Sequence, residues 1–569
     1  MPAAAPVSAP ASAPARFAPV QPGRTRAGSS FTQVFGLSTV HPASKDKARP
    51  TLILGVLRFD EGPGVTALRT QLGPRLLALP RFRSVVEVSP RNSKRVHLRE
   101  LDPSDVDLGY HMRELGDKEY GPADVDALCS WCYSVDGGMD TSRPLWQMHY
   151  MPRCQGGGSA LLVVINHALA DGTTSVAILL DVLADPAPPT GKGGAAAAAS
   201  APVEAAPAPM AAGKAHSMTR RAKPSVGPMR KARAVASGIY KGCATGLLPA
   251  DRMSKLKTPD PYKPGQHKKL AFTSAIELSK VKEIKDKFPG ASVNDVCLAL
   301  MTICLRLYLE EANDPVRCVS SLPFFLPCLA SRTRLLRLTT PPPALLVPLR
   351  RCCAACLRFY SAASQIMKSN RTIRGSFPVD MRKANQDVLA TQFGNQFSTC
   401  LFRFPLHYSD PVSLVLDVKK QCDVIKISPE PYVTLNLVNT LLKLPTSMQF
   451  GQLIKSFSKF TSMLSNVRGP DHKVSVCGCT VQDLRFYATA PIGLYIGVLS
   501  YAGTVTASVV LDSTCEADAT AVAKHWGPAA DILYKATVTD RPGELFARKP
   551  SSAPKEPPKQ QPQATEREE

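Results

Sequence analysis

The stretch Ala160-Leu161-Leu162-Val163-Val164-Ile165-Asn166-His167-Ala168-Leu169-Ala170-Asp171-Gly172, followed by Thr173 to Ala184, reads as strand, turn and helix. An unbroken apolar run bounded by turn residues fits a buried strand, and the longer segment after Gly172 fits a helix packed back on it. The apolar run ends abruptly at Asn166-His167. A histidine just past a buried strand can be held with its ring facing a cavity. Imidazole titrates near neutrality, so this placement suits a general base. Asp171, four residues on, can brace the loop. Gly172 is expected to permit a backbone turn that other residues resist. The bland alternative is an ordinary α/β turn that happens to contain a histidine.

Working outward, the 569 residues leave room for two or more domains, and a hydrophobic fraction of 44% suffices for a sizeable core. No apolar run reaches the eighteen or so residues of a membrane-spanning helix. The net charge of +23 is concentrated: Lys214 to Lys241 holds eight basic residues and no acid, and Pro315 to Val379 holds ten and no acid. No zinc-finger spacing or RNA-binding signature accompanies them, which argues against nucleic-acid binding. The sixteen cysteines include CxxC spacings at Cys129/Cys132 and Cys353/Cys356, and Cys477 and Cys479 flank a glycine. They do not form the two well-spaced ligand pairs of a zinc site, so no metal is expected. With no secretory signal, the thiols read as reduced and structural.

Residues 1–30 are rich in Ala, Pro, Ser and Arg and contain no acid, a composition that fits a disordered or organelle-targeting tail. Folded sequence is expected from near Thr51. Thr51–Leu57, Leu145–Tyr150 and Ala160–Ile165 read as strands and Val65–Leu79 as a helix, giving an amino-terminal domain over 31–185. Residues 186–260 read as a linker. Within it, Met229–Leu248 mixes Arg230, Lys231, Arg233 and Lys241 with Val235, Ile239, Tyr240 and Leu247. It is either a basic amphipathic helix for a membrane surface or a solvated linker end. A second domain is expected over 261–540. In it Leu270–Leu278 is strand-like, Ser279–Phe288, Val293–Leu309 and Tyr408–Val424 are helical, and Leu494–Tyr501 with Thr504–Asp512 form a hairpin around Ala502-Gly503. Residues 317–367, acid-free and without periodicity, read as a recent insertion or a translated intron. Residues 541–569 read as a disordered tail.

Further motifs stand in order along the chain: Leu79-Pro80-Arg81-Phe82-Arg83-Ser84, Arg143-Pro144-Leu145-Trp146, Asn166 to Gly172, Ser292-Val293-Asn294-Asp295-Val296, Pro378-Val379-Asp380-Met381-Arg382 with Phe393-Gly394-Asn395-Gln396, Ser465-Asn466-Val467-Arg468-Gly469-Pro470, and Ser500-Tyr501-Ala502-Gly503. With them the chain resembles the bifunctional wax ester synthase/acyl-CoA:diacylglycerol acyltransferase family, the plant and algal type especially. They look like that family's PLW, HHxxxDG, VND, PVxxR, GN, SNVxGP and SYxG motifs. The departure is Asn166, where the family has histidine. His167 takes the place of the single histidine in relatives that carry only HxxxD. The family's usual PLSP-like start is not recognisable.

The resemblance implies an α/β fold of two chloramphenicol acetyltransferase-like domains, with mixed sheets, helices and a substrate tunnel at their interface. It implies acyl transfer from acyl-CoA, a substrate rather than a cofactor, to a long-chain fatty alcohol or to diacylglycerol, with no acyl-enzyme. His167 would be the general base. Asp171 would orient the loop through an ion pair, with Arg382 as candidate partner, and Gly172 would keep the tunnel floor open. Asn466 is either an oxyanion or substrate donor or a turn residue. Trp146 and Asn395 are expected to be packing and turn residues, and Asn294 and Asp295 a helix cap. Both substrates being greasy, the expected place is a peripheral one on endoplasmic reticulum or lipid droplet, or a plastid membrane if residues 1–30 are a transit peptide. A catalytically inactive lipid- or acyl-CoA-binding relative is the alternative, supported by Asn166 and the insertion.

Overall fold

The strand Ser159–Asn166 is buried along its whole length because it runs through the middle of a sheet. Leu52–Phe59 pairs with it antiparallel on one side and Trp146–Met151 on the other. The structure is a computed structural model that describes residues 24–41, 51–133, 139–186, 235–239, 250–263, 265, 267–314, 372–383, 387–391, 393–489 and 492–541. The first sheet has six strands, in the order Ser475–Val476, Cys479–Ala488, Leu52–Phe59, Ser159–Asn166, Trp146–Met151 and Met112–Glu114. The second has seven. Its path runs Lys268–Phe272, Thr504–Asp512, Leu494–Tyr501, Ser462–Arg468, Thr372–Asp380 and Phe397–Pro405, with Ile276–Glu277 also on Thr504–Asp512. Both sheets mix parallel and antiparallel pairs, as the mixed α/β expectation requires.

Local chemistry accounts for the helices. Val293–Glu311 starts from a reciprocal capping box: Asp295 N–H donates to the Ser292 hydroxyl and Ser292 N–H to the Asp295 carboxylate. Ser292 is the N-cap, Asp295 is its partner in the box, and Asn294 takes no part in it. Asp410 caps Pro411–Ile427, the helix expected over Tyr408–Val424. The expected hairpin turns at Ala502 and Gly503, both at positive φ (43° and 84°), the backbone of a two-residue turn that matches strand twist.

The two halves are not separate along the chain. Cys479–Ala488 leaves the second half, pairs antiparallel with Leu52–Phe59 in the first sheet, and the chain then returns to the second sheet as Leu494–Tyr501. A buried cluster between the sheets follows, with Leu54, Val56, Leu162 and Tyr487 on one side and Leu401, Tyr495 and Val510 on the other. Each buried Leu or Val contributes roughly 1.5–3 kcal/mol, so the junction is as much a core as either half.

Folded structure begins earlier than Thr51. Thr25–Ala27 pairs with Asn92–Glu100, and Ser30–Val40 is a helix with its residues from Phe31 to Ser38 buried. Composition averaged over residues 1–30 hides this, because the strand forms only by pairing with a partner some seventy residues away. The segment Met229–Leu248 lies outside the described residues except for 235–239, which are helical. The expected insertion 317–367, the linker from 187 to 234 and the tail after 541 also lie outside them. Among the described residues no helix is long and apolar enough to cross a membrane, and the ten described cysteines are all free thiols.

Candidate active site

At the end of the central strand the chain makes a tight polar turn. His167 N–H donates to Thr51 O at 2.8 Å, and Ala168 N–H donates to the Asn166 side-chain oxygen at 2.9 Å. Asn166 Nδ2 donates to the Thr39 hydroxyl at 3.1 Å. Asn166 is thus buried against the helix Ser30–Val40 and does not line the cavity described below. At this position, where the related family has a second histidine, the side chain shapes the loop.

The ring of His167 is half-buried and stacked at an angle between Phe35 (centroids 4.3 Å apart) and Phe397 (5.8 Å). Its Nδ1 lies 2.9 Å from Asn395 Oδ1. The Asn395 amide is oriented by its other bonds: Nδ2 donates to His167 O at 2.6 Å and to the Thr32 hydroxyl at 3.1 Å. A carbonyl only accepts, so Nδ2 must face it and Oδ1 must face the ring. Oδ1 in turn only accepts. Nδ1 therefore carries the hydrogen, and Nε2 is left as the basic nitrogen. Burial lowers the His167 pKa below its ordinary value of 6.5, with the Asp171 charge and the Asn395 bond opposing. The imidazole is accordingly neutral, and a base, at neutral pH.

Asp171 does not touch the ring. It caps the helix Gly172–Ile178 by accepting from Thr174 N–H at 2.9 Å, and it accepts from Gln396 N–H at 2.9 Å. Arg382 Nη2 reaches its two oxygens at 3.0 and 2.9 Å, with both side chains 5% exposed. Arg382 also binds Thr174, the Gly394 carbonyl and Asp380. The buried pair thus pins the histidine loop of one half to the 380–396 segment of the other. Arg81 closes the loop from a third side, donating to Ala168 O at 3.1 Å and stacking over Phe393. A Cβ at Gly394 (φ +105°) would stand 2.5 Å from that guanidinium, so glycine is required there both for backbone and for space.

One expectation is corrected at Gly172. Its φ is not in the left-handed region. What it supplies is proximity: an added Cβ would come to 3.3 Å from the Val467 methyl, so the helix start and the Ser462–Arg468 strand approach closely.

His167, Asp171, Gly172, Arg382 and Asn466 all border one cavity of about 680 Å³ that opens between the two halves. Phe31, Phe35, Ile53, Val176, Leu401, Val438, Leu441, Phe460 and Met463 make most of its wall apolar. The size and lining suit a long apolar ligand with few polar anchors. Asn466 lies within a strand rather than at a turn, and its amide donates to Asn294 Oδ1 at 3.1 Å. Trp146 is a packing residue, as expected: its indole N–H donates to Phe82 O at 2.7 Å and its ring stacks on His111.

Sequence reasoning missed Asn395, taken for a turn residue, and the helix Ser30–Val40 that supplies Phe31, Thr32 and Phe35. A signal for that helix was present: Ser29 caps it by accepting from Thr32 N–H, and Phe31 and Phe35 stand at the i, i+4 spacing of one helical face. No local signal joins Asn395 to His167.

Residues 50–297 match the family described as the wax ester synthase/diacylglycerol acyltransferase catalytic domain, and residues 393–533 match its C-terminal domain. A Mycobacterium tuberculosis protein provisionally named a diacylglycerol O-acyltransferase is 39% identical over 85 residues, 15% of this chain and 16% of that protein. Another of the same provisional name from that species is 27% identical over 231 residues, 38% of this chain and 45% of that one. The matched segments thus span less than half the length of these curated relatives. The solved trichothecene 15-O-acetyltransferase of Fusarium sporotrichioides superposes with a TM-score of 0.50 at 11% identity, covering 90% of this chain and 95% of its own. That likeness concerns fold alone: two chloramphenicol acetyltransferase-like domains, as the motifs imply.

Proposed function

Because this chain belongs to the wax ester synthase/diacylglycerol acyltransferase family, we propose that it is an acyl-CoA-dependent O-acyltransferase acting on a long-chain fatty alcohol, on diacylglycerol, or on both. The observation that carries this reading is His167, fixed by Asn395 with Nδ1 as donor, at the wall of a largely apolar cavity between the two halves.

In this mechanism Nε2 of His167 takes the proton of the acceptor hydroxyl as that oxygen attacks the thioester carbonyl. The carbonyl π bond opens to an oxyanion, which requires hydrogen-bond donors. Asn466, whose amide has a second N–H beyond the one given to Asn294, is the donor we assign in the cavity wall. Re-formation of the carbonyl expels the CoA thiolate, and the imidazolium returns its proton to that sulfur. The ester and free CoA leave, the histidine is neutral again, and no acyl-enzyme forms. Asp171 and Arg382 act by holding the loop and the 380–396 segment together. The apolar chains of both substrates favour a peripheral position on a lipid-bearing membrane or droplet.

The alternative of an inactive lipid-binding relative draws on Asn166, and Asn166 faces the helix Ser30–Val40 rather than the cavity. The deciding experiment follows labelled acyl-CoA into wax ester and triacylglycerol with the parent and with His167→Ala. The expected outcome is an active parent and a loss of roughly 10²–10⁴-fold on removal of the base. Equal activity of the two would remove His167 from the mechanism, and an inactive parent with both acceptors would favour the binding protein.

A further inference from the structure

The helix Glu430–Leu441 is apolar, yet only Glu430 and Pro431 are fully buried in it. Tyr432 is 56% exposed and Leu437 44%. The next helix, Thr446–Phe457, leaves Met448 49% exposed. Gln449 ties the two helices by donating to Leu442 O and Leu444 O. A third element adjoins them. A Cβ at Gly238 would stand 2.1 Å from the Ser428 hydroxyl and 3.1 Å from Glu430 N, so the 235–239 turn of helix packs on the start of Glu430–Leu441. It exposes Val235 and Ile239. Of the nine large apolar side chains exposed among the described residues, five therefore sit on these three contiguous pieces. Scattered exposed apolar residues need no explanation, whereas a contiguous group marks an interaction surface.

Charge and position identify the partner. From Pro431 to Pro470 the sequence contains no Asp or Glu, and Lys443, in the turn after the first helix, and Lys455, on the second, are exposed. Exposed apolar side chains accompanied by Lys443 and Lys455, with no acid in the same stretch, suit an anionic lipid interface, where the former enter the acyl boundary and the latter meet the headgroups. The same helix also forms cavity wall: Leu437, Val438, Leu441 and Leu444 line it, and Leu437 is exposed outside as well.

We propose that the helices Glu430–Leu441 and Thr446–Phe457, with residues 235–239, are the face by which this protein docks on an anionic lipid surface, and that the lipid acceptor enters the cavity beside Leu437. The docking stands on the exposed face itself, and the acceptor route rests on the acyltransferase reading above. An acceptor passing directly from the lipid layer into an apolar cavity avoids exposing its chains to water.

The test is flotation of the full chain with phosphatidylcholine vesicles, plain or with about one-third phosphatidylserine. It uses the parent, the triple variant Ile239→Asp/Tyr432→Asp/Met448→Asp and the double variant Lys443→Glu/Lys455→Glu. Melting curves establish that each variant is folded, and size-exclusion chromatography gives the mass of each. The parent should float with the anionic vesicles and less with the neutral ones. The triple variant should lose at least about tenfold in binding to both. The double variant should lose only the preference for anionic lipid. With a short water-soluble alcohol as acceptor, the triple variant should match the parent, while transfer to vesicle-borne acceptor falls. A parent that does not float would overturn the proposal. So would folded variants that float like the parent, or a parent that elutes at twice its mass and is split by the triple variant. A parent that floats but transfers no acyl group to either acceptor would overturn the acyltransferase reading and leave the docking face standing.

Discussion

Asn395→Ala tests the arrangement that the structure adds to the histidine. The side chain holds both ends of the residue it serves: Oδ1 accepts from His167 Nδ1 at 2.9 Å, and Nδ2 donates to His167 O at 2.6 Å. It does not line the cavity. Truncation leaves the ring free to turn and its tautomer unselected. In the ground state a neutral hydrogen bond contributes about 0.5–1.5 kcal/mol. As His167 takes the proton of the attacking hydroxyl, the bond becomes charge-assisted, at about 1.5–3 kcal/mol. The rate loses only the difference, about 1–1.5 kcal/mol, so at 1.36 kcal/mol per tenfold kcat should fall roughly 5- to 13-fold with KM little changed. The assay is steady-state release of CoA thiol with a saturating alcohol acceptor. Asn395→Asp supplies the control that a merely structural role would not move. A carboxylate beside Nδ1 favours the imidazolium, so the acid limb of the rate profile should shift to higher pH. In the parent that limb should lie below the ordinary histidine value of 6.5, because burial depresses the pKa. A folded Asn395→Ala protein with kcat within a factor of about two of the parent, or an Asn395→Asp profile with an unmoved acid limb, would refute the reasoning.

Three more outcomes follow from the same geometry. Arg382→Met leaves Asp171 as a buried charge without its ion-pair partner, so unfolding free energy measured in urea should fall by about 3–5 kcal/mol; a loss below about 1 kcal/mol would mean the pair does not join the halves. Asn166→His restores the residue common in the family at a fully buried site that faces Thr39. It should lower stability by about 1–3 kcal/mol through overpacking and bring no gain in acyl transfer; a faster enzyme would place that side chain in the chemistry after all. Buried histidines should also make the fold acid-sensitive. Burial lowers the pKa of His149 to about 4 and those of His111 and His167 below the usual 6.5. Below pH 6.5 the unfolded chain therefore binds more protons than the folded one, and stability is lost as pH falls through that window. His149 alone accounts for roughly 3 kcal/mol by pH 4. Melting midpoints that do not fall between about pH 7 and pH 5 would contradict this.

What could be read along the chain were features encoded within a few residues. The apolar run Ala160–Ile165 makes a strand buried on both faces, because no polar residue interrupts it. Ser292 and Asp295 start a helix, because their three-residue spacing lets each bond the other's backbone. His167 is marked as a candidate base by standing where such a strand ends. The Asp171–Arg382 pair was within reach only through resemblance to a family, since 211 residues separate the partners. The remainder required the folded chain. Composition marked residues 1–30 as a tail, yet Thr25–Ala27 finds a strand to pair with, and just beyond it Phe31 and Phe35, ahead of the expected start of folded sequence near Thr51, find a cavity to line. Cys479–Ala488 joins a sheet built mostly from residues before 170, which no local periodicity announces. Asn395 lies 228 residues from His167; its role as the partner of the imidazole exists only once the second half closes on the first. Asn166 is the clearest case. Its identity beside His167 raised the doubt about catalysis, and only the folded chain shows that its side chain bonds Thr39 and does not line the cavity. Periodicity and spacing determine which side chains are buried and which backbone groups are capped, because those depend on near neighbours. Which buried polar group meets which is decided by the closure of the two sheets, because a hydrogen bond about 3 Å long has no signature in sequence distance.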